Sequence, residues 1–157
     1  MPHSFQIVGL DHHRFAHYFD MSEAELTQNY AIRRNADASP GYPCRVSLEE
    51  ASVGEELILL PYLHQASASP YRASGPIFVR RHARQALLPK NSVPPYVTRR
   101  LISVRAYDYA HLLVQASVVE GLDIQTTLQT LFQSEQIAYI HLHNAKQGCF
   151  SCQVNRV

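Results

Sequence analysis

The sequence predicts an α+β fold: an antiparallel or mixed sheet of five to seven strands, one main helix over about residues 123–134 packed on one face, and short N-terminal helices. Three observations lead there. Short segments rich in Val, Ile, Leu and Tyr end at Gly, Pro, Asp or Asn, which is how strands are punctuated. The segment Leu101–Asp108 alternates, with Ile102, Val104 and Ala106 on one face and Ser103, Arg105 and Tyr107 on the other. Between Asp123 and Ser134, Ile124, Leu128, Leu131 and Phe132 recur at helical spacing and make an apolar stripe for a sheet to cover.

The elements follow in chain order. Phe5 to Leu10 reads as a strand, and Asp11 is placed to cap a turn holding His12 to Phe19. Ser22-Glu-Ala-Glu25 is a capping-box pattern, in which the serine accepts from the backbone N–H three residues on and the glutamate reaches back. A short helix over Glu23 to Asn29 is expected from it. Ser39-Pro-Gly-Tyr-Pro43 reads as a turn, and Ser47-Leu-Glu-Glu50 repeats the capping pattern more weakly, with Gly54 suited to a helix C-terminus. Strands are expected over Glu56–His64, Pro76–Arg80, Leu101–Asp108, Leu112–Val119, Ala138–Asn144 and Cys149–Asn155. The short links through Tyr109 to His111 and through Ala145-Lys-Gln-Gly148 predict hairpins. Arg81 to Tyr96 carries three prolines and no period, a long loop for a compact domain.

Composition bounds the function. A chain of 157 residues with 46% apolar content can bury the core of one domain, residues 1–157, and is not globally disordered. Only 17% of residues are charged, and nine His and nine Tyr supply much of the remaining polarity. A net charge of +1 lacks the basic footprint that phosphate-backbone binding needs, so nucleic acid is not expected as a partner. The N-terminus lacks the basic and apolar regions of a signal peptide, and the longest nearly apolar run, Leu57–Leu63, is seven residues, too short for a membrane span. Cys44, Cys149 and Cys152 are an odd set in a chain able to fold unaided, which points to a reducing, cytoplasmic setting.

Four segments together carry a family resemblance: Ala38–Ser47, Pro70–Val79, Ile102–Asp108 and Ala138–Phe150. They resemble a family of bacterial proteins catalogued as domain of unknown function 1203, over nearly the whole chain. The resemblance implies a bacterial, intracellular, single-domain protein, and it brings no activity, ligand or catalytic residue with it.

The unusual feature is a set of side chains on strands. In Tyr139-Ile-His141-Leu-His143 the period of two puts Tyr139, His141 and His143 on one face. Arg105 and Tyr107 divide from their neighbours in the same way, and Tyr62 and His64 share a side of their own strand. A face lined by Tyr, His and Arg suits a groove for a small anionic ligand, with Arg as a planar fork and His as an acid or base near neutrality. Arg72, Ser74 and the backbone beside Gly75 form a second candidate cradle for an anion. Cys149 is a candidate binding residue, or a nucleophile beside the histidines. His141-x-His143-x5-Cys149-x2-Cys152 contains four zinc-ligand types, but the histidines are too close and the cysteines should point to opposite faces, so no metal and no cofactor is expected. The alternative to ligand binding is a non-catalytic, self-associating protein that uses the same face or a sheet edge.

Overall fold

The computed structural model describes residues 3–157. Its strands are β1 (Phe5–Val8), β2 (Ile32–Asn35), β3 (Pro43–Cys44), β4 (Glu49–Glu50), β5 (Glu56–Gln65), β6 (Ala73–Arg80), β7 (Leu101–Tyr107), β8 (Leu113–Glu120), β9 (Tyr139–Asn144) and β10 (Phe150–Arg156). Its α-helices are α1 (Glu23–Gln28), α2 (Pro95–Thr98) and α3 (Ile124–Leu131). The strands form two five-stranded sheets, one in the order β1-β10-β9-β7-β8 and one in the order β2-β5-β6-β3-β4.

The expected α+β fold, one sheet with a main helix on its face, is therefore corrected: the chain is mostly β, with two sheets and short helices. The physical reason lies in β2, β3 and β4. They are two to four residues long, and β2 and β4 consist mostly of Arg, Asn and Glu, so they show no apolar alternation. Backbone ladders and ion pairs hold them instead. Arg33 on β2 bonds Glu56 Oε1 at 2.5 Å and Glu23 Oε1 at 2.9 Å, tying β2 to β5 and α1. Ser47–Glu50 forms no helix: Leu48 turns with φ +54 and buries its side chain, and the two glutamates pair with β3. The capping box at Ser22 is present, with Ser22 Oγ accepting from Glu25 N–H and Glu25 Oε1 from Ser22 N–H.

The first sheet has one apolar face. Ile102, Val104, Ile140 and Leu142 are buried in one cluster with Ile124, Leu128, Leu131 and Phe132, as their periods predict. Helix α3 spans eight residues rather than twelve, because Gly121–Asp123 winds as a tighter turn and Phe132 ends the helix. The proline-rich stretch after β6 is a strap rather than a free loop. Leu87 bridges Val8, Gln6 Nε2 donates to the Leu88 carbonyl at 2.8 Å, and Asn91 Oδ1 accepts from the Phe5 N–H at 3.0 Å. This covers the β1 edge and leaves β8 as the other edge of that sheet.

The second sheet buries Ile58, Leu60, Ile77 and Val79 against Phe15, Phe19 and Leu26 of the N-terminal turns and α1. The two sheets meet where the end of β5 lies against β9 and the start of β10: His64 stacks on Phe150, and Gln65 Nε2 donates to the Tyr139 hydroxyl at 3.0 Å. Strand β9 is consequently covered on both faces, with every residue from Ile140 to Asn144 buried. One of those faces is imidazole and phenol. Among the described residues, no helix is long and apolar enough to cross a membrane.

Candidate functional site

The register of the first sheet builds the site. Arg105 pairs with His141 and Ser103 with His143 across β7 and β9, and residues directly opposite in an antiparallel pair share a face. On the other side of β9 the register shifts by one between Phe150 and Cys152. Phe150 faces His143, but after the bulge Gln153, not Cys152, faces His141. The extra residue sends Cys152 to the helix-covered core, where it is buried beside Leu142 and Val154. The Cys–His set that the spacing offered is thus dismantled by the backbone.

A third imidazole arrives from the second sheet. Each of His64, His141 and His143 offers one ring nitrogen, and these three atoms lie within 4.8 Å of one another. Phe150 is the packing hub. Its ring is parallel to His64 at 5.6 Å, edge-on to His141 at 5.3 Å and edge-on to His143 at 5.8 Å. Tyr107 closes the far side, stacked on Tyr139 at 5.3 Å and edge-on to His141 at 5.2 Å.

Hydrogen bonds fix which nitrogen is free. Gln153 Nε2 donates to Asn155 Oδ1 at 2.9 Å, which leaves Gln153 Oε1 to accept from His141 Nε2–H at 3.2 Å. His143 Nδ1–H donates to the Gly148 carbonyl at 3.0 Å, an acceptor presented by a turn residue at φ +75. The lone pairs then sit on His141 Nδ1 and His143 Nε2. Both atoms are buried without a partner, as is His64 Nδ1. Burial pushes His141 down to about 4 and His143 down to about 3, and it lowers His64 as well, with the Arg105 charge adding to all three. All three rings are therefore neutral at pH 7. Arg105 is half-buried, donates from Nε to Ser103 Oγ at 3.3 Å, and has no carboxylate within ion-pairing distance among the described residues.

Of the residues expected from sequence, His64, Arg105, Tyr139, His141 and His143 come together. Tyr62 lies beside them with its ring 5.9 Å from Phe150, but its hydroxyl accepts from Arg14 at 3.2 Å. Arg72 turns to the Ala66 carbonyl, and Ser74 is exposed on β6, so that loop is not part of the cluster. Cys149 faces Arg45 Nη2 at 3.0 Å rather than the histidines. Gln153 and Phe150 were not singled out from sequence, and Gly148 was expected only as a turn residue. Their signal is positional, three residues of the hairpin that follows the histidines, and only the bulge reveals which of them meets which imidazole. A second group with ligand chemistry, Asp11, His12 and His13, is largely exposed, and Asp11 already caps its own turn.

Fold and cluster together define a two-sheet β protein with a buried imidazole triad where its sheets join. The chain belongs to the family described as protein of unknown function (DUF1203), whose model matches residues 41–156 and so contains every residue of the triad and its supports. No curated protein and no solved structure matches the chain.

Proposed function

We propose that the protein holds one divalent transition-metal ion on His64, His141 and His143 and uses it, with Arg105, to bind a small anionic ligand. Two observations carry this reading: each imidazole brings one ring nitrogen within 4.8 Å of the others, and each keeps one buried nitrogen without a partner, while the other nitrogens of His141 and His143 are spent on Gln153 and Gly148. Metal-bound histidines are oriented in this way, by an acceptor on the other ring nitrogen. Neutral imidazoles have no proton to displace, and their N donors suit zinc, copper, nickel or iron. Tetrahedral ligation at about 2.1 Å needs nitrogens about 3.4 Å apart, within the 4.8 Å span that holds these three.

Arg105 explains the anion. A guanidinium beside a metal cation repels it unless a negative ligand lies between them, and this one has no acidic partner of its own. Three protein ligands with an open position are the arrangement of catalytic rather than structural zinc, so acid–base or hydrolytic chemistry on the bound anion is the reaction class to test. This reading replaces the sequence-based expectation of an anion held by the side chains alone. The three cysteines are free, which suits the reducing cytoplasm of a bacterium as its setting.

Isothermal titration of metal-depleted protein with zinc tests the proposal. One ion per chain is expected, and His64→Ala, His141→Ala and His143→Ala should each weaken binding by more than the roughly 10–100-fold that losing an outer-shell partner costs. Substoichiometric binding, or binding unaffected by all three substitutions, would sink it. The self-association alternative has one feature to draw on: β8 is an edge strand, largely exposed, with Val114 and Val118 open to solvent. Light scattering across a concentration series separates the two readings.

A further inference from the structure

Away from the histidines, Arg45 is buried against two backbone carbonyls and a cysteine sulfur. It is 2% exposed, and its guanidinium donates to the Phe150 carbonyl at 2.7 Å, the Pro43 carbonyl at 2.6 Å and Cys149 Sγ at 3.0 Å. No carboxylate lies within ion-pairing distance of it among the described residues. The nearby Arg100 is, by contrast, already paired with Glu50. A buried charge left with neutral acceptors is costly, and a guanidinium has five N–H groups, two more than the three used here.

Arg45 borders a cavity of about 300 Å³. Arg100, Asn144, Gln147 and Cys149 are its other polar lining, and its apolar walls include Leu59, Pro76 and Phe78. Asn144 is 3% exposed, and its Oδ1 is buried without a hydrogen-bond donor, while its Nδ2 reaches toward Cys149 Sγ at 3.7 Å. The cavity therefore joins a guanidinium that has no carboxylate partner to apolar walls.

We infer that this cavity is a second ligand site, independent of the histidine triad, for a small carboxylic acid with an apolar body. The carboxylate takes N–H groups of Arg45 that the protein leaves unused, and the apolar body lies on Leu59, Pro76 and Phe78. Planar bidentate recognition of a carboxylate is what a guanidinium does best. The volume sits at the small end of ligand pockets and suits a compact acid.

Cys149 makes the site self-reporting, because it lines the cavity and is half-buried, whereas Cys44 and Cys152 are buried. In alkylation, its sulfur displaces iodide from the methylene carbon of the reagent and the thiol proton passes to solvent. The test compares iodoacetate with its neutral counterpart iodoacetamide on the full chain, with the modified cysteine located by mass spectrometry. The iodoacetate-to-iodoacetamide rate ratio at Cys149 should be on the order of tenfold higher in the folded protein than in the urea-unfolded chain, since a cationic cleft concentrates the anionic reagent. Phenyllactate should protect Cys149 from both reagents, and 2-phenylethanol, which lacks the carboxylate, should not. Leu59→Trp, checked for folding by circular dichroism, should abolish protection by filling the cavity. An unchanged ratio, no reaction of Cys149 with either reagent, or no protection by phenyllactate in the wild-type protein would overturn the assignment.

Discussion

His141 and Gln153 face each other across the β9–β10 pair, with the imidazole Nε2 3.2 Å from the amide oxygen. Asn155 fixes the orientation of that amide by accepting from its nitrogen. The pair selects the tautomer that leaves the lone pair on His141 Nδ1, which is buried without a partner. Gln153→Leu should therefore leave the fold intact and lower zinc affinity by about 10–100-fold, and Gln153→Glu should restore it. Competition against a chelator of known affinity reads both. Equal affinity in Gln153→Leu and wild type would mean that His141 is not a ligand through Nδ1.

The neutral histidines make the metal-free protein sensitive to mild acid. In the unfolded chain they protonate near 6.5, whereas burial holds His141 at about 4 and His143 at about 3 in the folded state. Between those values the unfolded chain binds more protons, so stability is greatest above pH 6.5 and is lost as pH falls. Each histidine contributes a slope of about 1.4 kcal/mol per pH unit. Urea denaturation between about pH 6.5 and 5.5, above the range where most carboxylates titrate, should show this loss, and His141→Phe should make it shallower, with His143 left to contribute. A stability that stays flat across that window would show that the imidazoles are not desolvated.

Metal should stabilise the fold beyond the site itself, because the triad draws on both sheets: His64 from β5, and His141 and His143 from β9. An ion that binds only the folded state at a hundred times its dissociation constant adds about 2.7 kcal/mol. Thermal melting with zinc and then with excess chelator should show a reversible rise and fall in Tm. His64→Ala should remove most of that rise while leaving the metal-free Tm close to wild type, since His64 is only half-buried.

The helix-facing side of the same strand answers to packing alone. Leu142 is fully buried among Val104, Leu128 and Ile140. Leu142→Ala should cost on the order of 2–5 kcal/mol in chemical denaturation through lost burial and the cavity left behind. An unchanged denaturation midpoint would reverse the face assignment of β9, and with it the placement of both histidines.

What could be read from the sequence follows the strength of local patterns. The alternation in Leu101–Tyr107 and Tyr139–Asn144 separates apolar from polar faces, and both strands are found with that division. The capping box at Ser22 and the turn at Gly148 depend on residues a few positions apart and were equally legible. The second sheet was legible only in its two long strands, β5 and β6, because Arg33 and Arg34 on β2 and Glu49 and Glu50 on β4 are held by long-range pairing that leaves no apolar period. The triad was half legible. The His141 and His143 pair and the placement of His64 on its strand came from spacing, but their meeting depends on how two sheets pack. Gln153 was hidden by the bulge after Phe150, since an unbroken register would have set Cys152 opposite His141.

The proposed site holds its metal on three imidazoles and no sulfur. X-ray absorption spectroscopy at the zinc edge of the loaded protein reads this directly. A first shell of nitrogen and oxygen at about 2.0–2.1 Å, with the outer scattering of three imidazole rings, is expected. A sulfur scatterer at about 2.3 Å, which would bring Cys149 or Cys152 into the site, or a shell with fewer than two imidazoles, would contradict it.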